Sequence, residues 1–205
     1  MKQQVFYIHG ADSFTDYNKF LEYLLTIPIR DLPDAEPIIR WSKTLREDLG
    51  GNFEVFTPTM PNKQNAKYLE WKIWFERHFE YLHDGIILVG ASQGGYFLAK
   101  YLVENSFPFD VKALFLLAAP FERRPEDESG EDGGDFEFDT SRVGELQKKA
   151  EKIVIMHSKD DPVVSFSHGE KYAAAIPQAE FITFENKNHF LIEKFPELLE
   201  KIRTV

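Results

Sequence analysis

Residues 86–95 read Ile-Ile-Leu-Val-Gly-Ala-Ser-Gln-Gly-Gly, and this stretch decides the fold. Its four leading aliphatic residues, three of them β-branched, predict a strand that is buried on both faces. Apolar residues at helical spacing follow it, at Phe97, Leu98, Tyr101 and Leu102. The sequence therefore predicts a buried strand, a sharp turn and a helix in direct succession.

A serine lies in that turn with glycine two residues to either side, which is the Gly-x-Ser-x-Gly pattern of a nucleophile elbow around Ser92. Gly90 and Gly94 leave out side chains that would collide where strand and helix nearly touch. The N-terminus of the helix directs free N–H groups at the place where an oxyanion would form. The alternative is an ordinary strand-to-helix turn in which Ser92 is the helix N-cap, and the rest of the chain has to decide between the two.

The length and composition of the chain indicate one globular domain. Its 205 residues suffice for a substantial core. No apolar run reaches the roughly 18 residues of a membrane span. A strand predicted at residues 5–8 leaves no room for a signal peptide, so we expect a cytoplasmic protein. Since the chain has no cysteine, disulfides, thiol nucleophiles and thiolate metal sites are excluded.

The net charge of −10 is concentrated in one segment, residues 121–139, which holds nine acidic residues against Arg123 and Arg124. The acidic balance and the lack of a basic stripe argue against a nucleic-acid partner. The segment is predicted to be a solvated, mobile loop, with a low-complexity part at residues 125–135. The alternative is a cap over a functional site.

Strand and helix patterns alternate over the whole length. This alternation predicts a three-layer α/β/α sandwich with a mostly parallel sheet of about six strands. The loops that follow the strands then share one edge of the sheet. The predicted strands are residues 5–8, 53–56, 86–89, 111–118, 152–157 and 181–184, and the further predicted helices are residues 17–25, 38–49, 67–82, 143–150, 166–176 and 192–202.

Two later strands end in loops that carry candidate partners for Ser92, in the chain order serine, aspartate, histidine. The strand at residues 152–157 is followed by Asp160 and Asp161, and the strand at residues 181–184 is followed by His189. Asp161 is favoured as the acid because the following proline biases it to an extended conformation, whereas Asp160 could cap or hydrogen-bond the loop. A solvated Asp-Asp-Pro turn is the alternative.

The loop after the first strand is expected at the same edge. Its His9, Gly10 and Ala11 would line the site, and the backbone N–H groups of Ala11 and Gln93 could form an oxyanion hole. For His9 we favour a buried, hydrogen-bonded residue that shapes the loop over a role in proton transfer.

Metal and cofactor sites are not predicted. No histidine pair has the i, i+4 spacing of a zinc helix. The aromatic stripe at Trp71, Trp74, Phe75 and Phe79 has helical spacing, which is more typical of core packing than of a ligand platform.

The elbow at Ser92, the Asp161-Pro162 turn, the Asn188-His189-Phe190 ending and the absence of further N-terminal strands together resemble the small α/β-hydrolases of the retinoblastoma-binding-protein type. The resemblance runs over essentially the whole chain. It implies an α/β-hydrolase fold with a minimal cap, with Ser92 as nucleophile, Asp161 as acid and His189 as base.

We therefore expect a metal-independent serine hydrolase that acts on small acyl esters through a Ser-His-Asp triad. Two alternatives stay open: a binding protein that keeps a triad-like shell without turnover, and an amidase or acyltransferase that uses the same triad. A small-molecule ester is the expected partner, with no membrane and no nucleic acid. The sequence determines neither the physiological substrate nor whether the protein is a monomer or an oligomer.

Overall fold

Six parallel strands form one sheet in the computed structural model, which describes residues 2–29, 39–123 and 130–205. In chain order they are β1 Gln3–Ile8, β2 Phe53–Phe56, β3 Ile86–Ala91, β4 Val111–Leu117, β5 Ala150–Ser158 and β6 Glu180–Phe184. Their order across the sheet is β2-β1-β3-β4-β5-β6, with every neighbouring pair parallel. The carboxyl ends of all six strands therefore lie at one edge.

Helices connect the strands within the described residues. They are α1 Tyr17–Thr26, α2 Trp41–Leu49, α3 Tyr68–Glu76, α4 Gln93–Glu104, α5 Phe166–Ala175 and α6 Pro196–Thr204, with short 3-10 helices at Phe79–Tyr81 and Thr140–Lys148.

The helix boundaries differ from the predictions at three places. The helix predicted at 67–82 ends at Glu76 and continues only as a 3-10 turn, and the helix predicted at 143–150 is a 3-10 helix that starts at Thr140. The last helix begins at Pro196 and not at Ile192, because proline fits the first helical position but not the interior. The start of the helix predicted at 38–49 falls partly outside the described residues.

Alternate residues of each strand enter two separate cores. In β1, Phe6 and Ile8 face the core that contains α3, α4 and α5, whereas Val5 and Tyr7 face the core that contains α2 and α6. Both faces of the sheet are thus covered, as parallel sheets require. The predicted three-layer sandwich is confirmed.

The helix after Ser92 is the centre of the larger core. Its residues Gln93–Val103 are all buried. Trp71 and Phe75 of α3 are fully buried against its Phe97, with ring centroids 5.7 and 5.6 Å away. The interpretation of the aromatic stripe as core is confirmed for these two residues, while Trp74 and Phe79 pack at the rim.

The second half of the acidic segment, residues 130–139, is packed into the fold. Glu131 and Asp132 are buried, and Phe136 and Phe138 belong to the larger core. Glu131 and Asp132 differ from the expected solvated loop, whereas residues 135, 137 and 139 are exposed. The buried carboxylates find backbone partners: Asp132 accepts from the N–H of Thr15 at 3.0 Å, in addition to its ion pair with Arg123. Residues 124–129 of the segment lie outside the described residues.

Across the described ranges, no helix has the length and apolar character that a bilayer crossing demands.

Gly94 is a position where the fold leaves no room for a side chain. A Cβ there would lie 2.3 Å from the carbonyl oxygen of Ile8 and 2.7 Å from that of His9. Gly94 therefore makes room for the end of β1, whereas the sequence predicted that it makes room for β3. We expect Gly94→Ala to lower the free energy of unfolding by about 3 kcal/mol, since backbone atoms of two elements would have to move apart. Chemical denaturation measures this, with Gly51→Ala as control because no atom lies within 4 Å of a Cβ there. Equal stability of the two variants would contradict the packing described.

Candidate active site

The turn between β3 and α4 holds Ser92 in a strained conformation. Its backbone φ is +51° and its ψ is −124°, a region that residues other than glycine rarely adopt. Gly90 permits this turn, since a Cβ on it would lie 2.6 Å from the backbone of Gly95. The Ser92 hydroxyl does not cap α4. The N-cap hydrogen bond of the alternative interpretation is therefore absent from this turn.

The loop after β1 lies directly against the serine. A Cβ on Gly10 would be 3.0 Å from Ser92 Cβ and 3.5 Å from its Oγ. Within the described residues, the backbone N–H groups of Ala11 and Gln93 take part in no hydrogen bond. Gln93 is the first residue of α4, where N–H groups lack an intrahelical acceptor. Two unused donors thus lie within one residue of the contact between the loop and Ser92.

His9 shapes this loop through both ring nitrogens. Nδ1 lies 2.8 Å from the carbonyl oxygen of Gly10, and Nε2 accepts from the N–H of Met60 at 2.9 Å. This pair of bonds requires the neutral imidazole with the proton on Nδ1. Burial lowers the pKa of His9 below its ordinary value. His9 is therefore a hydrogen-bonded residue that shapes the loop, which is the role favoured from the sequence.

We expect His9 to make stability depend on pH. Because its pKa is lower in the folded than in the unfolded protein, the unfolded chain takes up the proton first. Its contribution to stability is complete above the ordinary value of 6.5 and is lost as the pH falls below it. Between about pH 7.5 and about pH 5.5, the wild type should lose more free energy of unfolding than His9→Gln. Equal losses in urea titrations at the two pH values would refute this.

Gly10 controls the space beside the serine hydroxyl. We expect Gly10→Ala to lower kcat for the ester hydrolysis predicted from the sequence by about tenfold, with little change in stability. The new methyl group would displace Ser92 by a few tenths of an ångström. Steady-state kinetics and a denaturation curve for Gly10→Ala and for the control Gly51→Ala measure the two effects. An unchanged kcat would mean that the loop and the serine do not form one site.

Asp161 and His189 meet at the carboxyl edge of the sheet. His189 Nδ1 lies 2.8 Å from Asp161 Oδ2, and the side chains are 8% and 0% exposed. The other carboxylate oxygen, Oδ1, accepts from the backbone N–H groups of Val163 and Val164 at 2.8 and 3.0 Å. Both oxygens of this buried carboxylate are therefore engaged, and one of them faces the imidazole.

The environment of Asp161 keeps it ionised. Burial acts to raise the pKa of the carboxyl, but hydrogen bonds from His157 and His189 and from the backbone outweigh it and hold the pKa well below its ordinary value. A fixed negative charge next to Nδ1 favours the tautomer that leaves Nε2 of His189 free to accept a proton.

The loop that carries His189 is held on both sides. Asp160 Oδ1 accepts from the N–H of Asn188 at 3.0 Å and from the Ser158 hydroxyl at 2.5 Å. Asp160 thus hydrogen-bonds the loop, which is the alternative role that the sequence offered for it. On the other side, Trp41 Nε1 donates to the carbonyl oxygen of Phe190 at 3.0 Å. Asn188 and Phe190 both have positive φ, of 45° and 53°. The backbone around His189 is thus strained and held in place by neighbouring elements.

His157 is a site residue that the sequence reasoning missed. The sequence places it only at the end of a predicted strand, yet its Nε2 lies 3.4 Å from Asp161 Oδ2. A histidine four residues before the acid, at the end of an otherwise apolar strand, was the available signal.

The structure brings together Asp161 with His189, and Ser92 with Gly10. Among the described residues no hydrogen bond joins Ser92 Oγ to His189. The same part of the chain contains no cluster of three or more His, Asp or Glu side chains arranged to hold a metal ion. The chemistry available at this edge is that of a strained serine, an imidazole oriented by a carboxylate, and unused N–H donors at a helix N-terminus.

A family model described as serine hydrolase matches residues 34–203, well over half of the chain. No curated protein matches the chain in sequence.

Solved structures resemble this chain over nearly its whole length. The ydeN gene product of B. subtilis is 18% identical with a TM-score of 0.70, covering 99% of this chain and 98% of its own. A lipase-esterase related protein from Clostridium acetobutylicum is 13% identical with a TM-score of 0.59 over 98% and 93%. The 2-hydroxy-6-oxo-6-phenylhexa-2,4-dienoate hydrolase of a Rhodococcus species is 14% identical with a TM-score of 0.62 over 99% and 91%. These likenesses show the α/β-hydrolase fold, which confirms the predicted fold class.

Proposed function

Because this chain belongs to the serine hydrolase family, we propose that it hydrolyses carboxylic esters of small acyl groups. In this proposal Ser92 is the nucleophile, His189 is the general base and acid, and Asp161 holds the imidazole.

The observation that carries the proposal is the 2.8 Å contact between Asp161 Oδ2 and His189 Nδ1 at the edge where Ser92 follows β3. A carboxylate at Nδ1 leaves Nε2 as the proton acceptor, which is the arrangement that serine hydrolysis needs. The strained backbone of Ser92 is typical of a nucleophile elbow.

The proposed reaction uses these groups in two steps. Ser92 Oγ attacks the ester carbonyl as His189 Nε2 takes its proton, and the N–H groups of Gln93 and Ala11 stabilise the oxyanion. His189 returns the proton to the departing alcohol, and water activated by the same imidazole hydrolyses the acyl-enzyme. Binding of the ester would bring Ser92 Oγ and His189 Nε2 within hydrogen-bond distance, because catalytic hydrogen bonds tighten in the substrate complex.

The preference for esters rests on resemblance. Small α/β-hydrolases of the retinoblastoma-binding-protein type share the motifs around Ser92, Asp161 and His189, and membership of that narrower group is part of the proposal. The neighbour from Clostridium is itself described as lipase-esterase related. A cytoplasmic location and the absence of membrane, nucleic-acid, metal and cofactor partners stay predictions from the sequence.

Turnover of a chain-length series tests this function. We expect the purified protein to hydrolyse p-nitrophenyl acetate and butyrate faster than the octanoate, and faster than the matched p-nitroanilides, since a minimal cap leaves little surface to bury a long chain. Faster release from the anilides would favour an amidase. Release of p-nitrophenol no faster than in buffer, for every ester, would overturn the proposal and leave a binding protein as the better description.

A further inference from the structure

His157 is a fully buried histidine that the proposed mechanism does not use. It lies near the end of β5 with 0% of its surface exposed. Its Nε2 lies 2.8 Å from the carbonyl oxygen of Val164 and 3.4 Å from Asp161 Oδ2. Both neighbours are acceptors when Asp161 is ionised, so Nε2 carries a proton, which it donates to Val164 while it lies close to the carboxylate.

The ring of His157 is fixed from its other side. A Cβ on Gly169 of α5 would lie 2.8 Å from His157 Nδ1, and the ring of Phe166 meets the imidazole edge-on at 5.8 Å. Within the described residues, Nδ1 is buried and has no hydrogen-bond partner. The imidazole is therefore confined with its N–H between the carbonyl oxygen of Val164 and the carboxylate of Asp161.

The oxygen that His157 approaches is the one that His189 uses. Oδ1 of Asp161 is already held by two backbone N–H groups, which suffices to orient the carboxylate. Oδ2 faces two histidines, at 2.8 Å for His189 and 3.4 Å for His157. His157 therefore adds less to the orientation of the acid than to the distribution of its charge, because a second donor on Oδ2 weakens the attraction felt by the first.

We propose that His157 is a positioning residue that shares Asp161 Oδ2 with His189 and so sets how strongly the carboxylate holds the imidazole. Among the described residues, the titratable partners of Asp161 are these two histidines, one from β5 and one from the loop after β6. On the α5 side His157 meets Gly169 and Phe166, neither of which titrates.

The pH profile of catalysis tests this role, and this kinetic test rests on the proposed function. In His157→Leu, the midpoint of the acid limb of kcat/KM should rise by about one pH unit, which lowers kcat/KM about tenfold on the acid side and leaves the alkaline plateau nearly unchanged. His157→Gln keeps an N–H donor and should return the midpoint to the wild-type value. A merely structural role would lower the plateau and leave the midpoint in place, and that result, or a downward shift, would overturn the proposal.

A second measurement needs no turnover. In the Ser92→Ala background, the titration midpoint of the His189 imidazole, followed by NMR, should rise by about the same amount when His157 is replaced by leucine and not when it is replaced by glutamine. His157→Met serves in place of the leucine variant if the latter does not fold. An inactive wild type with the expected NMR shifts would contradict only the proposed function, whereas an active enzyme with unmoved midpoints would contradict only the role of His157.

Discussion

Ser92→Ala is expected to lower kcat for p-nitrophenyl butyrate by about 10⁶-fold, down to the residual rate that binding and the oxyanion hole sustain. The effect is this large because the serine oxygen forms the covalent bond of the first step and nothing else at the site can replace it. Stability should be unchanged. Alanine keeps the Cβ that packs against Gly10 and needs the same backbone φ of +51°.

Ser106→Ala is the matched control, because Ser106 is an exposed serine beyond the end of α4. It should keep wild-type turnover and wild-type stability. If Ser92→Ala retained more than a few per cent of the wild-type kcat, another residue would have to be the nucleophile.

Asp161→Asn is expected to lower kcat by about 10⁴-fold with KM little changed. The asparagine carbonyl oxygen can still accept from the N–H groups of Val163 and Val164, so the loop should keep its shape. Its NH₂ group then faces His189 Nδ1, where it can only donate. The imidazole would have to place its proton on Nε2, which removes the acceptor that Ser92 needs.

Asp160→Asn is the comparison that isolates this effect. Asp160 uses Oδ1 to accept from the Asn188 N–H and from the Ser158 hydroxyl, and an asparagine oxygen can do the same. Its kcat should fall by less than about tenfold. A larger loss in Asp160→Asn than in Asp161→Asn, measured by steady-state kinetics, would exchange the roles of the two aspartates.

The elbow and the sheet could be predicted because local sequence determines them. Residues 86–95 contain the apolar strand, the two glycines and the serine in direct succession, so the order of elements can be read from the sequence. The loops that carry Asp161 and His189 were placed at one edge by the parallel topology alone. The contact between the two side chains also needed Pro162 and the strained residues beside His189, whose effect a sequence pattern does not quantify.

The acidic segment shows where such reasoning fails. Its composition predicts solvation, yet Glu131 and Asp132 are buried because distant backbone donors meet them: Ser13 N–H lies 3.1 Å from Glu131 Oε1, and Thr15 N–H lies 3.0 Å from Asp132 Oδ1. Both donors come from residues more than a hundred positions earlier in the chain. His157 was missed for a similar reason, since its contact with Asp161 depends on the turn between them and on the space that Gly169 leaves.

The most direct test of the central claim is to treat the wild type with a fluorophosphonate and locate the adduct by peptide mass spectrometry. We predict a single adduct on the Ser92 hydroxyl, because Ser92 follows β3 in a strained turn at the edge where Asp161 orients His189. An adduct on a different residue, or labelling of Ser92→Ala at the wild-type rate, would contradict it.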